Sequence, residues 1–282
     1  MLMTDGKELR RPHNAYYFQR TRWPMQCLWF LLPLLIVYEL GTWMYVPAGL
    51  EGVPQIKAEV LLRWAFSFVG AGGMYLPPLL VVAALFGWHL VRHDPWAPEL
   101  KLYVVMLLES CVWAAPLVMF SVVFWRQPAA ATVASAWHEL SGGALPGAGV
   151  LAGAADLPDW KTGMLVAIGA GIYEELLFRL IGIAVIHTVL RQLLGMRASA
   201  AAWGAIGLSA VAFALYHYNN EGMRSLLQLD AQSVSFLLFA TLSGVYLGAI
   251  FVLRGFGIVV ATHALYDIVV ISAAFWNTGG HG

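Results

Sequence analysis

Glu174, Glu175 and Arg179 fall within six positions of one another in an otherwise apolar stretch, Gly171-Ile172-Tyr173-Glu174-Glu175-Leu176-Leu177-Phe178-Arg179-Leu180. An ionisable side chain in mid-bilayer costs roughly 2.5–3.5 kcal/mol on insertion scales, so three so close together argue for a task. On a helix, Glu175 and Arg179 are four apart and stack on one face, where they neutralise each other. Glu174 is turned away from that line by about 100° and is the carboxylate left for chemistry. Two further polar motifs follow. Phe213-Ala214-Leu215-Tyr216-His217 closes one apolar run, and His263-Ala264-Leu265-Tyr266-Asp267 lies within another. Phe213 shares a helix face with His217, and His263 with Asp267, so three helices can aim polar groups into one interior. A carboxylate beside imidazole in a low-dielectric site is the combination that general acid–base catalysis near neutral pH requires.

Taken singly, each group has a plainer explanation. A lone histidine in a membrane helix more often bonds a neighbouring helix, and an isolated Glu–Arg pair more often serves as a clamp. Glu39, Glu109, His89 and His187 are assigned to such structural roles, with Glu109 a possible second partner of Arg179. The combination is harder to dismiss. Glu39, Glu109, Glu174, Glu175 and Asp267 face one fixed cation, Arg179. They must share protons, pair with histidinium or reach water.

The elements that position these groups are membrane helices. Of the 282 residues, 60% are hydrophobic and 11% charged, against about 25% charged in soluble domains. Mean hydropathy is +0.71. The 16 basic and 16 acidic side chains balance, so no bulk basicity points to nucleic acid. Cys27 and Cys111 both fall in apolar runs and read as small hydrophobes. The expected fold is an all-α polytopic bundle of about seven transmembrane helices, near 24–46, 72–91, 101–125, 161–186, 199–218, 233–253 and 256–276. The count becomes eight if 55–71 also crosses. Lys57 and Arg63 favour an interfacial helix there, and Pro77-Pro78 is expected to kink or interrupt the next helix.

The chain divides into a polar tail 1–23, N-terminal membrane helices 24–128, an Ala/Gly-rich loop 129–160, a helical core 161–276 and a short tail 277–282. A cytoplasmic N-terminus leaves ten Lys and Arg inside and five outside, with Arg179 in the membrane, as the positive-inside rule asks. The polar tail is too long for a typical secretory signal, so the first span is expected to stay as an anchor. Gly169, Gly171 and Gly244-x-x-x-Gly248 offer close helix packing. Glu174 lies about 20 Å into a helix that starts at Lys161, whereas His217 ends its span and His263 lies about a third along the last. Straight upright helices would not bring them to one level.

Glu-Glu-x-x-x-Arg, then Phe-x-x-x-His, then His-x-x-x-Asp, in this order on successive spans, resembles the CPBP (ABI) family of membrane endopeptidases. These are the CAAX-protease and bacteriocin-processing enzymes, and they include the type II CAAX prenyl endopeptidase. The likeness covers about 161–276. It implies that Glu174 activates water with His217 as partner and that His263 and Asp267 stabilise the oxyanion. It also implies that Glu175 and Arg179 order the motif helix, with Phe213 in support. Where the CAAX endopeptidases carry asparagine, this chain has Asp267, which also occurs in the family. An ionised aspartate only accepts, so Asp267 is expected either to stay protonated or, the favoured alternative, to orient His263.

Glu174, His217 and His263 would also compose a His₂Glu zinc set with an open fourth position. The resemblance favours a glutamate mechanism with no cofactor. The implied partners are a protein or peptide substrate in the membrane and the lipid bilayer, with the plasma membrane as the expected location. The competing readings are a non-catalytic scaffold or immunity protein of the same fold, and a proton-coupled transporter. No inverted repeat supports the transporter.

Overall fold

A computed structural model describes residues 17–45, 56–68, 70, 76–124, 160–218 and 231–277. The interiors of the expected loop 129–160 and tail 277–282, and residues 1–16 of the N-terminal tail, lie outside them. The described residues form α1 Tyr17–Arg20, α2 Pro24–Tyr45, α3 Lys57–Ala65, α4 Leu76–Arg92 and α5 Leu100–Phe124. Then follow α6 Trp160–Leu193, α7 Ala198–Tyr218, α8 Ala231–Arg254 and α9 Phe256–Asn277. Helices α2, α5, α6, α7, α8 and α9 are long and apolar enough to cross a membrane. Large apolar side chains such as Trp43, Val112 and Trp203 point outward, as a lipid-facing surface requires. The protein is an integral, multi-pass, all-α membrane protein.

The expected span at 72–91 is α4, with only 17 residues. It nevertheless returns the chain to the end of the bundle where α2 begins. There Asp94 Oδ2 accepts from the Met25 N–H at 3.2 Å and Gln26 Nε2 donates to the Ala97 carbonyl at 3.0 Å. His89 Nδ1 meets Asp94 Oδ1 at 2.6 Å, so this histidine is structural, as expected. Pro77-Pro78 does not interrupt α4. Both prolines sit in its first turn, where an N–H lacks an intrahelical partner in any case. The 55–71 stretch yields only the nine-residue α3, about 14 Å long and too short to cross.

Glycines set the close crossings. A Cβ on Gly171 would stand 2.8 Å from Ala264 Cβ and 2.9 Å from the Val260 carbonyl oxygen. α6 therefore meets α9 backbone to backbone beside the glutamate pair. Gly244 and Gly248 of α8 lie against Ala210 and Ile206 of α7 in the same way. α9 is the central helix: 61% of its membrane window is buried, against 28–39% for the other spans.

The expected end of the fourth span at 186 is wrong, and its correction removes the conflict of depth. α6 continues to Leu193 and ends at Gly195, whose φ of +64° breaks the helix. With that end, Glu174 precedes the α6–α7 turn by about as many residues as His217 follows it. An antiparallel hairpin must then bring the two to one level. The Phe178–Phe213 ring pair, one turn nearer the hairpin, has centroids 5.4 Å apart in the same register.

Candidate active site

Glu174 is the last residue of the first α-helical part of α6, and a π-helical stretch runs from Glu175 to Ile183. Such wider turns concentrate at functional sites. Here the Ser209 hydroxyl of α7 donates to the Phe178 carbonyl at 2.7 Å, within that stretch. The two glutamates diverge from this point, each toward a different histidine.

Glu174, 1% exposed, faces α7, with Oε2 3.3 Å from His217 Nε2. His217 Nδ1 lies 2.8 Å from the Phe213 carbonyl oxygen, which can only accept. Nδ1 therefore carries a proton, and in neutral His217 the Nε2 lone pair faces the carboxyl group. A proton taken up by this pair would fall between Glu174 Oε2 and His217 Nε2.

Glu175, fully buried, faces α9. Its Oε1 is 3.0 Å from Arg179 Nη1 and 2.7 Å from His263 Nδ1. The i to i+4 contact with Arg179 follows from the spacing, whereas the contact with His263 was missed. Asp267 Oδ2 stands 3.5 Å from His263 Nε2. Both ring nitrogens of His263 thus face carboxylate oxygens, which can accept from an N–H on either side of the ring. Glu175 is its near partner and Asp267 its far one. Phe213 lies under the Arg179 guanidinium at 4.3 Å from its ring centre and completes the packing between α6 and α7.

A small hollow lies between α5, α7, α8 and α9. His217, His263 and Asp267 line it together with Phe213, Phe239 and Ser243. Glu174 does not line it and meets it through His217. The site therefore has an imidazole that backs onto a buried carboxylate, a second imidazole between two acids, and apolar walls.

Among the described residues, no group of three or more His, Cys, Asp or Glu is arranged to hold a metal ion. His217 Nδ1 faces a carbonyl, which turns Nε2 toward Glu174, and both nitrogens of His263 face carboxylates.

Glu109 and Glu39, both half-buried, have partners that the sequence did not reveal. Glu109 does not serve Arg179. It pairs with Arg254, Nη2 to Oε2 at 2.7 Å, and accepts from Tyr17 at 2.5 Å and Trp113 at 2.9 Å. Arg254 had been expected in a loop, but it is buried over the Tyr17 and Phe18 rings. Glu39 accepts from the Tyr173 hydroxyl at 2.7 Å. A second cation and a phenol thus relieve the apparent excess of acids.

No curated protein and no solved structure matches the chain. Residues 157–269, which hold all three motifs and every residue placed around the two imidazoles, match the family described as type II CAAX prenyl endopeptidase Rce1-like. That segment is therefore similar to the CAAX-type intramembrane proteases of the CPBP family.

Proposed function

We propose that the protein hydrolyses a peptide bond in a membrane-associated or C-terminal-tail protein substrate, using water activated by Glu174 and His217. The observation that carries this reading is the 3.3 Å approach of Glu174 to a histidine whose other nitrogen is tied to a carbonyl. In the proposed reaction the Glu174–His217 pair takes a proton from water, and the hydroxide attacks the scissile carbonyl carbon. His263 donates toward the tetrahedral oxygen, held by Glu175 and Asp267. The proton taken from water then passes from His217 to the leaving amine as the C–N bond breaks. Glu175 and Arg179 hold the motif helix, and Phe213 fixes the His217 tautomer through its carbonyl. The reaction needs no cofactor in this reading, and the site lies in the plasma membrane of a protein with a cytoplasmic N-terminus.

Comparative proteomics of membrane-protein termini, wild type against Glu174→Gln, tests the proposal. A membrane substrate whose new terminus disappears in the variant supports it, and identical termini refute it. Cleavage lost to a membrane-permeant chelator and restored by zinc would overturn the metal-free mechanism.

A further inference from the structure

Tyr216 belongs to none of the motif positions, yet its hydroxyl sits between the reacting carboxyl group and a helix outside the family segment. It donates to Glu174 Oε1 at 3.4 Å, whereas the oxygen nearest His217 is Oε2. The same hydroxyl accepts from the backbone N–H of Ala58. Ala58 lies in the first turn of α3, where N–H groups lack intrahelical partners, and the N-cap Ile56 offers no side-chain oxygen. The Tyr216 ring is fixed edge-on by Phe178 and His217, with centroids 5.1 and 4.8 Å away. α3 is fixed in turn. Ile56, Ala58 and Leu62 are buried, and Glu59 binds both Tyr38 and Arg63.

A carboxylate turns easily about its last torsion, so a donor on one oxygen decides where the other points. We propose that Tyr216 is a positioning residue, which holds Oε1 of Glu174 so that Oε2 faces His217, and which ties that geometry to the docking of α3. This rests on the reading of Glu174 as the water-activating group. A 3.4 Å bond is long for O–H···O, and bonds of this kind tighten when the reacting complex forms.

The test uses the full chain in lipid nanodiscs. Infrared difference spectra against Glu174→Gln isolate the carboxyl bands of Glu174 without turnover. Tyr216→Phe should move those bands. Tyr216→3-fluorotyrosine, nearly the same size and a stronger donor, should move them the opposite way. With an internally quenched prenylated CAAX peptide as probe, Tyr216→Phe should lower kcat about 10- to 100-fold, the effect of one hydrogen bond to a charged group, with KM within about twofold. Unmoved bands would overturn the inference, as would a kcat loss matched by lost thermal stability with bands unchanged. If the wild type leaves the peptide uncut, the catalytic reading fails for that probe, and the infrared result still decides whether Tyr216 holds Glu174.

Discussion

Two neighbouring glutamates should fail in opposite ways. Glu175 is fully buried and is the carboxylate that meets both Arg179 and His263. Glu175→Gln keeps the shape but leaves the Arg179 guanidinium, itself 1% exposed, without an anionic partner. Breaking a buried pair from one side costs about 3–5 kcal/mol. The Phe213 ring beneath Arg179 offsets about 0.5–2 kcal/mol at most and is already present in the wild type. At roughly 2–4 °C per kcal/mol for a chain of this size, the midpoint of thermal unfolding should fall by about 6–20 °C. Glu174→Gln differs. Its amide can donate to the bare Nε2 of neutral His217, so stability should stay within about 1 kcal/mol of wild type. Turnover, however, should drop about 10²–10⁴-fold with the loss of the proton acceptor. The assay is thermal unfolding in one detergent alongside peptide cleavage in nanodiscs. Equal destabilisation by the two variants, or a turning-over Glu174→Gln, would refute the division of labour between them.

Other substitutions probe the supports. Gly171→Ala must push Ala264 and the Val260 carbonyl away from α6, costing about 1–3 kcal/mol and lowering kcat. Gly207→Ala, where an added Cβ meets nothing, should be neutral or stabilising by up to about 1 kcal/mol; parallel unfolding and kinetic measurements compare the two. Asp267→Asn should keep partial turnover, about a tenth of wild type, because Glu175 still holds His263. Wild-type turnover at every pH would count against an orienting charge, and complete loss would count against asparagine as an equivalent. A double-mutant cycle on Glu109→Gln and Arg254→Met should show a coupling of about 1.5–3 kcal/mol in stability, with KM unchanged in each variant that folds.

The 100° offset between successive helical residues was enough to separate Glu174 from the Glu175–Arg179 face. Which histidine each glutamate meets depends on helix lengths and crossings, and there the sequence was less clear. The fourth span was expected to end at 186, although Arg191 in the last turn and Gly195 just beyond it are ordinary signs of a later helix end. With the end at Leu193, the facing of Glu174 and His217 could have been read from residue counts alone. The π-helical stretch has no sequence signature of comparable strength. Arg254 looked like a loop cation because it closes an apolar run, and its burial depends on Tyr17 and Phe18 folding back over it. Tyr216 was passed over because it lies off the four-residue motif spacing. Its place beside His217 mirrors that of Glu174 beside Glu175, and this was the available clue.

The central claim is that Glu174 and His217 act as one proton-sharing unit. The most direct measurement is kcat for Glu174→Gln, His217→Ala and the double variant on one peptide substrate. Groups that work as a unit lose nearly everything with the first deletion, so the double variant should be no slower than the worse single one. Losses that multiply, or a single variant with wild-type turnover, would contradict the account.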